Sequence, residues 1–203
     1  MKQEFSTSLK NICSISVGMT LRGKPVAVVD GRFRLIQLGD IDGQGRIFID
    51  TTLQANGDDS FERFRVHKGD IVFKGRGATL SAALVKEESN LVAVAPLIIV
   101  RPNNRIIQPE YLAWVMNAPS SQEYFAKFLQ GSSISGVNKV DLEALPVPLP
   151  PPGIQNAIAE THVLHSREKE IVSKIQELKS RMTQKVLETC ALQYTPSLRK
   201  TPA

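Results

Sequence analysis

Cysteine is nearly absent. Cys13 and Cys190 are the two in 203 residues, at opposite ends and without metal-type spacing, so neither a disulfide framework nor a cysteine-held zinc is expected. Long apolar runs are absent as well. None approaches the roughly 18 uncharged residues of a membrane span, and the opening "MKQEFSTSLKNICSI" lacks the apolar core of a signal peptide. The expectation is a cytoplasmic protein with no membrane partner. Catalytic signatures are equally missing: there is no P-loop, no G-x-S-x-G, no H-E-x-x-H, and no Pro-Asp followed by a spaced acid and Lys. His67 has no Ser or Cys nucleophile motif to serve. His162 and His165 stand three apart on one stretch, but no third ligand accompanies them, so no metal is expected.

What is present fits a soluble globular chain, with 42% apolar and 22% charged residues. One stretch invites an enzymatic reading. Phe73-Lys-Gly-Arg-Gly77 spells F-x-G-x-G, a pattern with which DNA methyltransferases hold S-adenosylmethionine. Such a loop requires a strand, a glycine turn and then a crossover helix. Here "ATLSAALVKEESN" leaves little room for that helix, and neither an Asn/Asp-Pro-Pro-aromatic tetrapeptide nor a Pro-Cys dipeptide occurs. No cofactor is expected, and a binding protein is the better reading.

The chain changes character at "LPVPLPPPG". Its prolines fix φ and exclude helix, so the segment is an extended connector whose last proline can open a helix. The boundary is placed there, giving a domain over 1–150 and a helix with a short C-terminal tail over 151–203. In the first part "RFRLIQLGDID", "GRIFID", "DIVFKG", "AALV" and "LVAVAPLIIV" read as strands between Gly, Asp and Asn turns. "QPEYLAWVMNAPSSQEYFAKFLQG" reads as two helices, with Pro109 in a first turn, Pro119 stopping that helix, Ser120 and Glu123 as a capping box, and Gly131 as a C-cap. Strands and helices in separate blocks predict an α+β class.

From Ile154 to Leu192 there is neither Gly nor Pro. Leu164, Ile171 and Leu178 recur every seven residues, Ile175 and Met182 fall at the alternating position, and Glu168 is a charged intruder. A helix of this length reaches about 55 Å at 1.5 Å per residue. Its apolar seam implies a partner helix; folding back on its own domain is the alternative.

Taken in order, "LIQLGDI", "HKGDIVFKGRG", "PEYLAWVMNAPSSQEYF", "GSSISGVNKVDLEALPVPLPPPGIQNAIAE" and the closing helix resemble the specificity subunit of type I restriction-modification systems. The closing order is the most telling: G-x-x-I-x-x-(I/V), then the proline connector, then Gln-x-x-I-A at the helix start. Gly18-Met-Thr20-Leu-Arg approximates the family's G-x-T-P-x, with Leu in place of Pro, and Gly153-Ile154-Gln155 lacks the acid of the usual Leu-x-Glu-Gln. The resemblance implies a twisted, mainly antiparallel target recognition domain with short helices, followed by one long coiled-coil-type helix. It also implies a non-catalytic reader of double-stranded DNA that directs methyltransferase and restriction subunits. Complete subunits carry two such domains and two helices. A single-domain chain pairing through its seam would form a homodimer and read a split palindrome. A stand-alone dimeric DNA-binding regulator or adaptor is the alternative function, and a self-contained methyltransferase a third.

The net charge of +5 permits an anionic partner, and its distribution is more informative. Residues 1–153 carry 17 basic and 15 acidic side chains, so the excess matters only where it clusters. Arg22, Lys24, Arg32 and Arg34 form one group; Arg63, Arg65, Lys68, Lys74 and Arg76 form another. Arg76 between two glycines is the first candidate for base readout, because the glycines permit close backbone approach. Ser133, Ser135, Asn138 and Lys139 are further DNA candidates, with helix capping the competing role of Asn138. Leu164, Ile171, Ile175, Leu178 and Met182 are the candidate partner or dimer face.

Overall fold

Unbroken apolar runs such as Ile71-Val72-Phe73 and Ile98-Ile99-Val100 suit strands covered on both faces. In the computed structural model, which describes residues 6–21, 23, 28–129 and 136–193, that is their place. In chain order the elements of the first half are β1 (Ser6–Ser8), β2 (Cys13–Val17), β3 (Phe33–Ile36), β4 (Leu53–Ala55), α1 (Asp59–Glu62), β5 (Arg65–Val66) and β6 (Ile71–Lys74). There follow β7 (Ser81–Leu84), β8 (Leu91–Ala93), β9 (Ile98–Pro102), α2 (Pro109–Asn117), α3 (Pro119–Ala126), α4 (Lys139–Glu143), β10 (Pro146–Pro148) and α5 (Pro152–Gln193). The class is α+β.

One sheet has the order β2-β9-β6-β7 and is antiparallel throughout; a second has the order β4-β3-β8-β5, in which only β3 and β8 run parallel. Strand alternation then sorts side chains into layers. Ile71, Phe73, Ile98 and Val100 point to one core, with Tyr111, Leu112 and Val115 of α2 and Phe125 of α3. Their neighbours Val72 and Ile99 point the other way, joining Ile36, Leu91 and Ala93 of the second sheet. The far face of that sheet buries Phe33, Leu35 and Val92, with Phe61 of α1 packed against them. Asp70, 3% exposed, ties the base of β6 to β9 by accepting from Arg101 Nη2 at 2.7 Å, and accepts from the His67 N–H at 2.9 Å.

The proline connector is extended, as its residues require, and it also makes a ladder. β10 pairs antiparallel with β1, setting buried Val147 opposite Thr7 and leaving the flanking prolines outward. Pro152 opens α5. Gln155 is buried there, donating to Pro150 O at 2.9 Å and accepting the Gln108 N–H at 3.0 Å, while Ala159 is buried and Ile158 packs on the core. The Gln-x-x-I-A pattern is thus a docking turn. Contacts divide the chain at this point into units Met1–Ala159 and Glu160–Ala203.

Three local expectations fail for identifiable reasons. "GRIFID" is no strand: Ile47 makes a single bridge to Ile41, the Phe48 N–H donates to Asp40 O, and Ile49–Thr51 is a 3-10 turn, so its backbone groups are satisfied within a local loop. "RFRLIQLGDID" is a strand only through Ile36; Asp40 Oδ2 then accepts the Gln37 N–H at 2.8 Å and winds Leu38–Asp40 into a 3-10 turn. Ser120 and Glu123 form no capping box. Pro119 itself occupies the first turn of α3, and the N-cap is Ala118, which offers no side-chain acceptor. Gly131 lies outside the described residues. Among the described residues no helix is long and apolar enough to cross a membrane.

Candidate nucleic-acid interface

The F-x-G-x-G stretch is a hairpin. β6 ends at Lys74 and β7, its antiparallel neighbour, begins at Ser81, so no crossover helix follows the glycines. Gly75 O accepts the Val137 N–H at 2.9 Å, and a Cβ on Gly75 would lie 2.5 Å from Val137 O. Gly77 takes φ of +104°, open to glycine and strained for other residues. The two glycines therefore serve backbone packing and a turn, and Arg76 between them is exposed.

Most of the other basic candidates are engaged. Arg32 donates to Glu62 at 2.7 Å and lies over the Phe33 ring, 4.9 Å from its centroid. Arg34 donates to Ile49 O at 3.1 Å, and Lys74 to Ile41 O at 2.9 Å. Arg65 lies 3.4 Å from both Glu62 and Glu88. The Lys68 N–H, followed by the His67 ring, holds the Glu88 carboxyl below the usual carboxylate range. Asn138 is a cap: its Oδ1 accepts the N–H of Val140 at 2.8 Å and of Asp141 at 3.1 Å, and Asp141 accepts in return from the Asn138 N–H. Lys139 lies 3.4 Å from Glu143. Arg22, Lys24, Ser133 and Ser135 lie outside the described residues.

Sequence carries almost no signal for the partner loop of the hairpin. "DGQGR", residues 42–46, has no charge cluster; only glycines on either side of Gln44 mark a turn. In the fold, burial works against the Asp42 carboxylate, but the Arg46 and Gln44 N–H groups and the Arg46 guanidinium outweigh it and hold its pKa below the usual range. On α5 the seam residues Leu164, Ile171, Ile175, Leu178 and Met182 are all exposed. His165 lies 3.5 Å from Glu168, and burial, then His165 and Lys169, lower the pKa of His162. Among the described residues no group of three metal-ligating side chains occurs.

The fold is thus two sheets backed by helices, with glycine turns bearing exposed polar side chains, and one long helix with an exposed apolar seam. The family described as "Type I restriction modification DNA specificity domain" matches residues 8–179, and the chain belongs to it. Its fold is similar to that of a chain from a structure titled for complex assembly and conformational transition of the type I R-M system, at 17% identity and TM-score 0.68, covering 98% of this chain and 51% of that one. The HsdS subunit from Thermoanaerobacter tengcongensis is similar at 18% identity and TM-score 0.61, covering 100% and 52%. For the type I S subunit from M. genitalium the figures are 14%, 0.58, 89% and 43%. The chain thus spans about half the length of these solved chains. No curated protein matches it.

Proposed function

We propose that the chain is a non-catalytic reader of double-stranded DNA that directs methyltransferase and restriction subunits to a sequence in the cytoplasm. The observation that carries this reading is the family match over residues 8–179, which takes in both the glycine-turn surface and most of the long helix. In this reading residues 1–150 are the recognition domain and 151–203 the assembly segment.

The helix is assigned to pairing with a second copy. Its seam holds two charges, Glu168 on the Ile175/Met182 line and Lys185 on the Leu164/Ile171/Leu178 line. In a parallel, in-register pair each charge would face its own like. In an antiparallel pair with its two-fold axis between residues 176 and 177, Glu168 meets Lys185 of the second copy, Ile175 meets Leu178, and Ile171 meets Met182. Such a dimer presents two identical readers, so its target is a split palindrome.

Co-purification with an Asn-Pro-Pro-aromatic methyltransferase encoded beside it, followed by mapping of methylated sites, tests the function. Methylation at one symmetric interrupted sequence is expected. Methylation unchanged when the chain is omitted would overturn it.

A further inference from the structure

Resting on that DNA-reading function, we infer that Gln44 reads a base edge beside Arg76, and that the turn at 42–46 and the hairpin at 74–80 form one two-loop reading platform. Base readout needs forked hydrogen-bonding groups that are uncommitted within the protein and carried on backbone that does not move. Several cations do not meet the first condition. Arg32, Arg34, Arg65, Lys74 and Arg101 donate to carboxylates or carbonyls. Gln44 and Arg76 are exposed, and neither side chain makes a hydrogen bond among the described residues.

The backbone under Gln44 is held from three directions. Asp42 Oδ1 accepts the Gln44 N–H at 2.8 Å and the Arg46 N–H at 2.9 Å, while Oδ2 accepts from Arg46 Nε at 2.7 Å. Ile41 and Ile47 close the loop as an antiparallel bridge. Below, the loop is bonded to the hairpin: Lys74 Nζ donates to Ile41 O at 2.9 Å, and Ser81 Oγ to Asp42 O at 2.8 Å.

The glycines on either side of Gln44 permit this seating. A Cβ on Gly43 would lie 3.2 Å from Thr79 Oγ1 of the hairpin; Gly45 has φ of +73°, and a Cβ there would run into Ala82 O. Arg76 is steadied in the same way. A Cβ on Gly136 would stand 2.7 Å from Arg76 Cγ, so the arginine stem lies across a glycine while its guanidinium stays exposed.

The pair has complementary chemistry. A glutamine amide donates and accepts together, matching adenine N6 and N7; a guanidinium donates twice, matching guanine O6 and N7. Neighbouring turns on one hairpin suit adjacent or nearly adjacent base pairs. Lys74 and Arg46, committed to Ile41 O and Asp42, support the platform instead of reading from it.

The test uses the full chain with its methyltransferase partner on a library randomised across the target, comparing wild type with Gln44→Ala, Gln44→Glu and Arg76→Ala. Gln44→Ala is expected to relax one A·T position near the G·C position relaxed by Arg76→Ala, each by roughly 5- to 150-fold. Gln44→Glu shifts preference there toward cytosine, whose N4 donates to a carboxylate. An unchanged thermal midpoint for these exposed positions separates reading from folding. An unaltered target for Gln44→Ala, or an equal loss across all sequences, overturns the inference and leaves the DNA-reading function standing. A wild-type complex without sequence preference overturns that function, and the inference with it.

Discussion

Individual polar residues here are claimed by folding first, and what remains is left to face outward. The Lys74 ammonium and the Arg34 guanidinium look like phosphate contacts in sequence, yet each satisfies a carbonyl oxygen of the loop it braces. Arg76, whose glycine neighbours mark it in sequence, is exposed. Asp42 is the residue on which the 42–46 turn depends. Its folded pKa lies below its unfolded one, so its contribution is fully present above the unfolded value, about 3.9, and is lost as pH falls through the lowered folded pKa. Amide exchange at Gln44 and Arg46 should thus be insensitive to local opening between pH 6 and 8, roughly, and show added opening only in acid below about pH 4. An NMR titration placing the Asp42 carboxyl at or above the ordinary carboxylate value would refute this.

At the level of elements, legibility follows how local the cause is. Apolar runs at "DIVFKG" and within "LVAVAPLIIV" are strands because they are covered twice, by helices on one face and by the second sheet on the other. The long run divides at Ala95-Pro96, whose peptide bond is cis. Pro109 and Pro152 open helices where expected, since a missing N–H and a preset φ act locally. "GRIFID" has a strand's composition, but its pairing stops at the single Ile41–Ile47 bridge and a 3-10 turn follows. Asn138 suits two roles in sequence, and its bonds to Val140 and Asp141 make it the α4 cap. Asn138→Ala should lower the unfolding free energy by about 1 kcal/mol in chemical denaturation while leaving the target sequence unchanged. A changed target with unchanged stability would instead return Asn138 to the reading surface.

For the molecule as a whole, the antiparallel dimer makes a charge-swap prediction. Glu168→Lys should weaken self-association about tenfold, since two exposed ion pairs of roughly 0.2–1 kcal/mol each become repulsive. The double variant Glu168→Lys, Lys185→Glu should restore it. In sedimentation, no recovery in the double variant would count against the antiparallel register, and a wild-type monomer at micromolar concentration against pairing altogether. Ile175→Lys is expected to abolish the dimer while the fold of residues 1–159 persists, because Ile175 lies in the second unit and is 46% exposed. By itself the sequence determined the α+β class, the proline connector, the long helix with its apolar seam and the order of motifs shared with the family. Each depends on φ restriction, periodicity or apolar runs, which act between near neighbours. Only the tertiary structure decided which cations are already spent, that β10 closes on β1, and that the Gln44 turn lies on the Arg76 hairpin. Those depend largely on contacts between distant residues, such as Arg34 with Ile49, Lys74 with Ile41 and Thr7 with Val147, which no local pattern encodes.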